Sequence, residues 1–216
     1  MFKVNYITEE DHPLAGPTKK APWMTFNGEN IGDSQVCIEK VADKFGLDIY
    51  QGLSANIDRA VSKAFQAMIE DRMIPMMAIE RFGFFKWDDF KDINPSIFPK
   101  PMRFMSNFIW KTMGKGLKKA NPGFGGMTHE QLAEKSNEYL ECLSKFLGNN
   151  KFFFGNDCPS LLDTIVFGYT NQLFYMSPES SKIRLKAESF DNLVAHHKNI
   201  KETYFADWNE LLHKSK

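Results

Sequence analysis

The chain has 216 residues, of which 43% are hydrophobic and 25% are charged, a composition typical of a folded protein rather than a disordered one. Lysine plus arginine equals aspartate plus glutamate at 27 each, so no global field attracts nucleic acid or an acidic membrane. No apolar run is long enough for a signal peptide or for a spanning helix of about 18 residues. We therefore expect no nucleic-acid partner, and a protein of one compact unit or two small packed domains.

Three cysteines, Cys37, Cys142 and Cys158, lie far apart in the sequence. They form neither a CxxC pair nor a zinc-ligand spacing, so the sequence predicts no metal site and no cofactor. Reduced, partly buried thiols in a cytoplasmic protein are the simplest interpretation.

The first part of the chain carries strand signals. Alternating apolar residues predict a strand over residues 2–7, and a loop rich in breakers follows over residues 9–21. Residues 23–26 and 29–31 are predicted strands, joined by Asn27-Gly28, a strong signal for a two-residue hairpin.

A helix is predicted to begin at Asp33-Ser34, since both residue types cap helices well, and to end at Gly46. Its apolar positions recur at helical spacing and predict one buried stripe, formed by Ile38, Val41, Ala42 and Phe45.

From residue 53 onward the periodicity is helical. A long helix over residues 53–85 is predicted to bend near Pro75, which lacks a backbone donor. Residues 88–101 are rich in turns and residues 121–126 form a loop. Further helices are predicted over residues 102–119, from Thr128 with a Thr-x-x-Gln capping box, over residues 160–174, from Ser189 and from Thr203.

Pro22 is the first of three local features that bear on function. A proline at the entry of a strand is typical of a bend, and only proline readily adopts a cis peptide bond. Such a bend would turn the backbone N–H and C=O of Ala21, next to Lys20, toward a ligand. A small peptide could then pair with them as a strand would.

Asp33 and Ser34 are the second feature. A helix N-terminus presents free N–H groups and partial positive charge, and the Ser34 hydroxyl adds a donor. The Asp33 carboxylate could hold a ligand ammonium. Because a γ-glutamyl group carries both charges, the pair suits glutathione.

Ser160 and Asp163 are the third feature. They form a Ser-x-x-Asp cap at the start of the most apolar helix, where an unmet donor would be costly. We interpret this pair as structural.

In order and spacing, these features resemble the glutathione transferase superfamily, and within it the failed-axon-connections and metaxin branch, including nematode cadmium-responsive proteins. The closer resemblance is carried by residues 20–34 and 152–157. It implies an α/β plus all-α fold: a partial, N-terminally truncated thioredoxin-like domain over residues 1–48, followed by an all-helical transferase C-terminal-like domain over residues 53–213.

Two departures from the family pattern bear on activity. The chain starts at what resembles the second strand, and Tyr6 does not match the family's catalytic position, so no catalytic residue is assigned. Asp33 stands where many transferases carry the longer Gln or Glu. A tentative glutathione site is therefore assigned to Lys20, Ala21, Pro22, Asp33 and Ser34.

The resemblance implies a weakly catalytic or non-catalytic protein that acts through stress or metal response or through protein contacts, including a homodimer. The alternatives are an active glutathione S-transferase and a helical scaffold without a small ligand. His196 and His197 are expected at the surface. The basic, aromatic segment 110–119 permits contact with a membrane surface, but a solvated helix with Phe108 and Trp110 in the core is the favoured interpretation.

Overall fold

A computed structural model describes residues 7, 15–19, 22–53, 56–93, 100–155 and 157–209 of the chain. The chain forms two compact units, residues 1–54 and residues 55–216. Apart from Ile7, the strand predicted over residues 2–7 lies outside the described residues, and so does most of the loop over residues 9–21.

The first unit contains an antiparallel hairpin of β1 (Trp23–Phe26) and β2 (Glu29–Gly32), in which Trp23 pairs with Gly32 and Phe26 with Glu29. The two turn residues both have positive φ, 51° at Asn27 and 84° at Gly28. Mirror-image turns of this kind match the right-handed twist of paired strands, which is why Asn-Gly predicted the hairpin correctly.

Helix α1 (Ser34–Phe45) follows directly and ends as predicted, with Gly46 in the left-handed conformation at φ 61°. The N–H of Leu47 donates to the Ala42 carbonyl over 2.8 Å, which closes the last turn. The predicted buried stripe is only partly correct: Ala42 is buried, whereas Ile38 and Phe45 are 39% and 53% exposed. The described residues of this unit contain a hairpin of only two short strands. This hairpin is too small to cover the whole apolar face of α1.

The second unit begins with a nearly continuous rod of α2 (Asn56–Met68), a π-helical turn (Ile69–Met73) and α3 (Ile74–Gly83). The N–H of Ile74 donates to the Ile69 carbonyl, five residues back. The irregular turn ends just before Pro75, which cannot donate to the helix ladder. The deviation predicted near this proline is thus a π-helical turn.

The remaining helices complete a bundle. Their bounds are α4 (Ser106–Ala120), α5 (Pro122–Gly125), α6 (His129–Leu147), α7 (Leu161–Met176), α8 (Lys182–Glu188) and α9 (Asp191–Tyr204), with 3-10 turns at Trp87–Asp89, Lys100–Met105 and Phe153–Gly155. The short α5 and α8 were not predicted, and α9 continues through Thr203, where a separate helix was expected to begin.

Helix α7 lies at the centre of this unit, as its apolar sequence predicted. It packs against α2, α8 and α9. Its buried side chains are Leu161, Leu162, Asp163, Val166, Phe167, Tyr169, Thr170 and Leu173. The two polar members, Asp163 and Thr170, need partners inside the core, and they find them on other elements of the same unit.

Helices α3 and α4 approach each other closely at Gly114. A Cβ atom at this position would lie 2.6 Å from the carbonyl carbon of Phe82 and 3.1 Å from the Cα atom of Gly83. Trp110, one turn earlier, is 1% exposed and donates its Nε1–H to the Arg81 carbonyl over 3.1 Å. This contact requires a residue without a side chain at position 114.

Three sequence-based expectations about exposure are wrong. Trp110 is in the core as expected, but Phe108 is 68% exposed. Cys142 and Cys158 are exposed rather than partly buried, although all three cysteines are free thiols. In the described part of the chain, no helix has the length and apolar character needed to cross a bilayer.

Candidate functional site

The predicted glutathione site is only partly within the described structure. Asp33 is the N-cap of α1 and Ser34 is its first helical residue, and both are exposed. Pro22 is exposed immediately before β1. Lys20 and Ala21 lie outside the described residues, and with them the peptide bond that precedes Pro22.

The backbone of Asp33 is strained. Its φ of 75° and ψ of 125° place a non-glycine residue in a sparsely populated region, which costs about 1–3 kcal/mol. Its carboxylate offsets part of this cost, since Oδ1 accepts from the N–H of Gln35 over 2.9 Å and from that of Val36 over 3.4 Å. Residues with strained backbone conformations of this kind cluster at ligand-binding sites and at switch regions.

Those two hydrogen bonds also change the electrostatics of the predicted anion site. The free N–H groups and partial positive charge of a helix N-terminus normally attract an anion. Here the Asp33 carboxylate already takes two of the N–H groups and brings a negative charge of its own. The site therefore suits an ammonium better than a second carboxylate.

Cys37, one turn into α1, is the thiol nearest to this site in sequence. Its Sγ lies 3.4 Å from the Ile31 carbonyl. Partial burial raises the pKa of the Cys37 thiol, and the charge of Asp33 raises it further. Because the thiolate is the reactive form, Cys37 is a poor nucleophile at neutral pH.

A buried polar centre at Asp163 joins three parts of the helical unit. Its Oδ2 accepts from the Ser160 N–H over 2.7 Å and from the Ser160 hydroxyl over 2.6 Å. Its Oδ1 accepts from the Phe153 N–H over 2.9 Å and lies 2.8 Å from Nε2 of His196. The Ser-x-x-Asp cap was predicted, but its links to residues 153 and 196 were not.

His196 and His197 are the clearest error of the sequence interpretation, because both are buried rather than at the surface. His196 meets Asp163, and Nδ1 of His197 lies 2.9 Å from the Thr170 hydroxyl. Burial lowers the pKa of His197 to about 4, with Lys201 and His196 adding repulsion. The partners lie 33 and 27 residues away in sequence, so no local spacing could have revealed them.

A second buried carboxylate, Glu80 on α3, joins α6 and α8. Its Oε1 lies 2.7 Å from Nε2 of His129 and accepts from the Ile183 N–H over 3.1 Å, while Oε2 accepts from the Ser181 hydroxyl over 2.6 Å. The Glu80 side chain is 2% exposed. Its contact with His129 lies at the start of α6, and its contacts with Ser181 and Ile183 lie at the start of α8. Glu80 and Asp163 thus have structural rather than ligand-binding geometry.

A groove of about 440 Å³ lies between the turn after α6 and helix α9, lined by Asn149, Asn150, Lys151, Asn192, His196 and Asn199 among others. Asn192 is engaged with the turn, since its amide donates to the carbonyls of Ser144 and Gly148. His196 is only 3% exposed, so the groove offers a ligand amide groups and the exposed Lys151 ammonium rather than an accessible imidazole.

Two family models match the chain. The glutathione S-transferase N-terminal domain matches residues 1–89, and the glutathione S-transferase C-terminal domain matches residues 136–200. The N-terminal match extends past the end of the first compact unit at residue 54 and includes helices α2 and α3.

Relatives that match most of this chain are found in animals. The chain is 30% identical to failed axon connections of Drosophila melanogaster over 94% of its own length and 51% of that protein. It is 23% identical to metaxin-2 of Mus musculus, over 96% of this chain and 78% of the relative, and 26% identical to a metaxin-1 homolog of Caenorhabditis briggsae, over 85% and 61%. The chain thus spans about half the length of the fly protein. No solved structure matches it.

Proposed function

The chain belongs to the glutathione S-transferase-like superfamily, in the branch of failed axon connections and the metaxins, and from that membership we propose a weakly catalytic or non-catalytic protein that acts through macromolecular contacts. An active glutathione S-transferase is the rival function. The two differ first in whether glutathione binds.

The observation that carries the proposal is the Asp33 carboxylate at the start of α1. It occupies the N–H groups of Gln35 and Val36, which a transferase-like site would present to the γ-glutamyl carboxylate. Two like charges about 4 Å apart repel by about 1 kcal/mol in water and by about 4 kcal/mol at an effective dielectric constant of 20. That repulsion offsets what the γ-glutamyl ammonium gains from Asp33.

The binding test is a melting experiment with reduced glutathione on the purified chain. A ligand present at about 100 times its dissociation constant adds about 2.7 kcal/mol to the free energy of unfolding if it binds only the folded form. We expect no saturable rise in Tm. A saturable rise would contradict the proposal and favour the transferase.

The matched control is Asp33→Asn, which removes the charge and keeps a good capping residue. If the carboxylate is what repels glutathione, the Asp33→Asn variant binds glutathione more tightly than the parent chain does. Equal weakness in both proteins would mean that the charge of Asp33 is not the reason.

The activity test is conjugation of glutathione to a chlorodinitrobenzene electrophile. We expect a rate equal to that of the heat-inactivated protein, because the nucleophile is the thiolate of glutathione itself and the Asp33 carboxylate opposes binding of its γ-glutamyl carboxylate at the start of α1. A rate well above the heat-inactivated control would overturn the proposal.

We propose a cytoplasmic location for this activity. Cys142 and Cys158 are exposed free thiols, which persist in a reducing compartment. Cell fractionation with an antibody against the chain tests this. Recovery only from the secreted fraction would contradict it.

The resemblance to nematode cadmium-responsive proteins extends the proposal to stress or metal response. The described residues contain no group of three or more His, Cys, Asp or Glu placed to hold a metal ion, so a response through regulated abundance is favoured over direct metal binding. The test is the amount of transcript before and after cadmium exposure, with no change counting against the proposal.

A further inference from the structure

Helix α4 and the 3-10 turn before it carry an exposed face that is apolar at one end and basic at the other. Phe104, Met105 and Phe108 are 85%, 43% and 68% exposed. At a helical spacing of 3.6 residues, Phe108 shares its side of α4 with Lys111, Lys115 and Lys119, all exposed. We call these six residues the α4 outer face.

The opposite side of the same helix is anchored in the protein. Ser106, Trp110 and Gly114 are buried, and Trp110 packs with Trp87 and Phe90. Because the inner side of α4 is fixed in this way, the rings of Phe104 and Phe108 cannot turn into the core without breaking that packing. Their exposure is a property of the fold.

Positive charge is concentrated in the segment that contains α4, although the chain as a whole has no net charge. Between Asp92 and Glu130 the sequence contains no acidic residue and six basic ones, Lys100, Arg103, Lys111, Lys115, Lys118 and Lys119. The lysines of the α4 outer face form no ion pair with the described residues, whereas Lys182 and Lys186 pair with Glu130 and Glu134 on α6.

An acidic residue that contacts the flank of α4 has partners outside the face. Asp88 accepts from the Asn107 amide over 3.0 Å, on the flank of α4, and its other oxygen lies 3.8 Å from Nζ of Lys91. The face therefore presents three lysines and three large apolar side chains together.

We propose that the α4 outer face docks the protein reversibly on a bilayer with anionic headgroups. Protruding aromatic rings next to unpaired lysines are the combination that binds the interfacial region of an anionic membrane. Phe104 and Phe108 enter the boundary between headgroups and acyl chains, and Lys111, Lys115 and Lys119 contact the headgroups. The alternative of a solvated helix without membrane contact was favoured on the expectation that Phe108 lies in the core, and Phe108 is exposed instead.

A lipid surface fits the face better than a protein partner does. Phe104 and Phe108 protrude beside lysines that form no ion pair with the described residues, and apolar rings flanked by lysines are typical of surfaces that enter the interfacial region of an anionic bilayer. An acidic protein partner is the competing occupant, and it predicts no binding to lipid alone.

The test is sedimentation of the full chain with vesicles of phosphatidylcholine containing about one third phosphatidylserine, a fraction chosen to give a strongly negative surface. We expect binding that weakens as salt rises, and little binding to phosphatidylcholine alone. Absence of binding to the anionic vesicles, or equal binding to both kinds, would overturn the proposal.

Two variants locate the contact. Replacing Lys111, Lys115 and Lys119 together by Gln is expected to weaken vesicle binding by on the order of a hundredfold, since each lysine contributes about a factor of five. Phe104→Ser with Phe108→Ser is expected to weaken it at least about tenfold and to leave Tm unchanged, because both rings are exposed.

The matched control replaces three exposed lysines elsewhere, Lys44, Lys145 and Lys198, by Gln. This variant changes the net charge by the same amount as the α4 variant. It therefore distinguishes an effect of the α4 outer face from an effect of the net charge of the protein. Vesicle binding like that of the parent chain supports the proposal. A loss as large as that of the α4 variant would overturn it. This outcome is independent of whether glutathione binds.

Discussion

Nε2 of His196 lies 2.8 Å from Oδ1 of Asp163, and both side chains are withdrawn from solvent. The same carboxylate accepts from Phe153 and Ser160, so both oxygens of this buried carboxylate are hydrogen-bonded. Such a group stabilises a fold only while its partners stay in place, because an unmatched buried charge is costly.

Asp163→Ala is therefore expected to destabilise the helical unit strongly. The substitution leaves the donors of Phe153, Ser160 and His196 buried without an acceptor, which costs about 3–5 kcal/mol. For a chain of this size that is a fall in Tm of roughly 6–20 °C. Thermal unfolding followed by circular dichroism measures it, and Asp157→Asn at an exposed position is the control. Equal Tm values for the two variants would contradict the network.

His197 makes stability depend on pH in a definite direction. Burial holds its folded-state pKa at about 4, below the ordinary value of about 6.5. Between these values the unfolded chain binds more protons, so stability rises as pH rises from 4 to 6.5 and is lost as pH falls. The contribution is no more than about 3 kcal/mol.

The measurement is urea unfolding across that pH range for the parent and for His197→Phe, whose ring can stack on Phe167 as the imidazole does at 4.8 Å. The difference in the free energy of unfolding between the two proteins reports on His197 alone, because both proteins contain the same carboxylates. It should change with pH between 4 and 6.5 and be constant above. A difference that is constant throughout would mean that His197 titrates normally.

Gly114 and Gly116 on α4 form a natural pair for testing the approach of α3. Gly114→Ala places a methyl group against the Phe82 carbonyl, and we expect a loss of about 1–3 kcal/mol from overpacking. At Gly116 nothing lies within 4 Å of the added carbon, so Gly116→Ala should stabilise the helix by about 0.5–1 kcal/mol. Chemical denaturation of both variants gives the comparison, and effects of the same sign would show that the helices do not meet at residue 114.

Asp33 caps α1, and its charge can be separated from its hydrogen bonds. Asp33→Ala removes the acceptor for Gln35 and Val36 and should cost about 1 kcal/mol, whereas Asp33→Asn should cost a few tenths. Hydrogen exchange of the α1 amides reports on this helix directly. Faster exchange in the Asp33→Asn variant than in the Asp33→Ala variant would contradict the cap.

Features encoded by a few neighbouring residues could be predicted from the sequence. The Asn27-Gly28 turn, the Gly46 helix end and the Thr128–Gln131 capping box each depend on contacts within a few positions, and all three are present. The Asp33 cap was predicted for the same reason, although its positive φ was not.

Features that depend on distant residues were not predictable in this way. The sequence around His196 predicts a surface residue, but the fold places Asp163 beside it. The sequence around Phe108 predicts a core residue, but Trp110 occupies the buried side of α4. Apolar periodicity gives the angle between side chains on a helix, but it does not say which side another element covers. Glu80 illustrates the same limit, since its partners Ser181 and Ile183 lie 101 and 103 residues away.

The position of Glu80 has a consequence for how the helical unit can come apart. One carboxylate on α3 holds the first turn of α8 and the first residue of α6, so detachment of any of the three helices leaves this buried carboxylate without at least one of its partners. Opening of any one of them is thereby coupled to the others. A fragment that ends before residue 181 would keep His129 but lose the Ser181 hydroxyl and the Ile183 N–H, so it would bury the Glu80 carboxylate without two of its three partners.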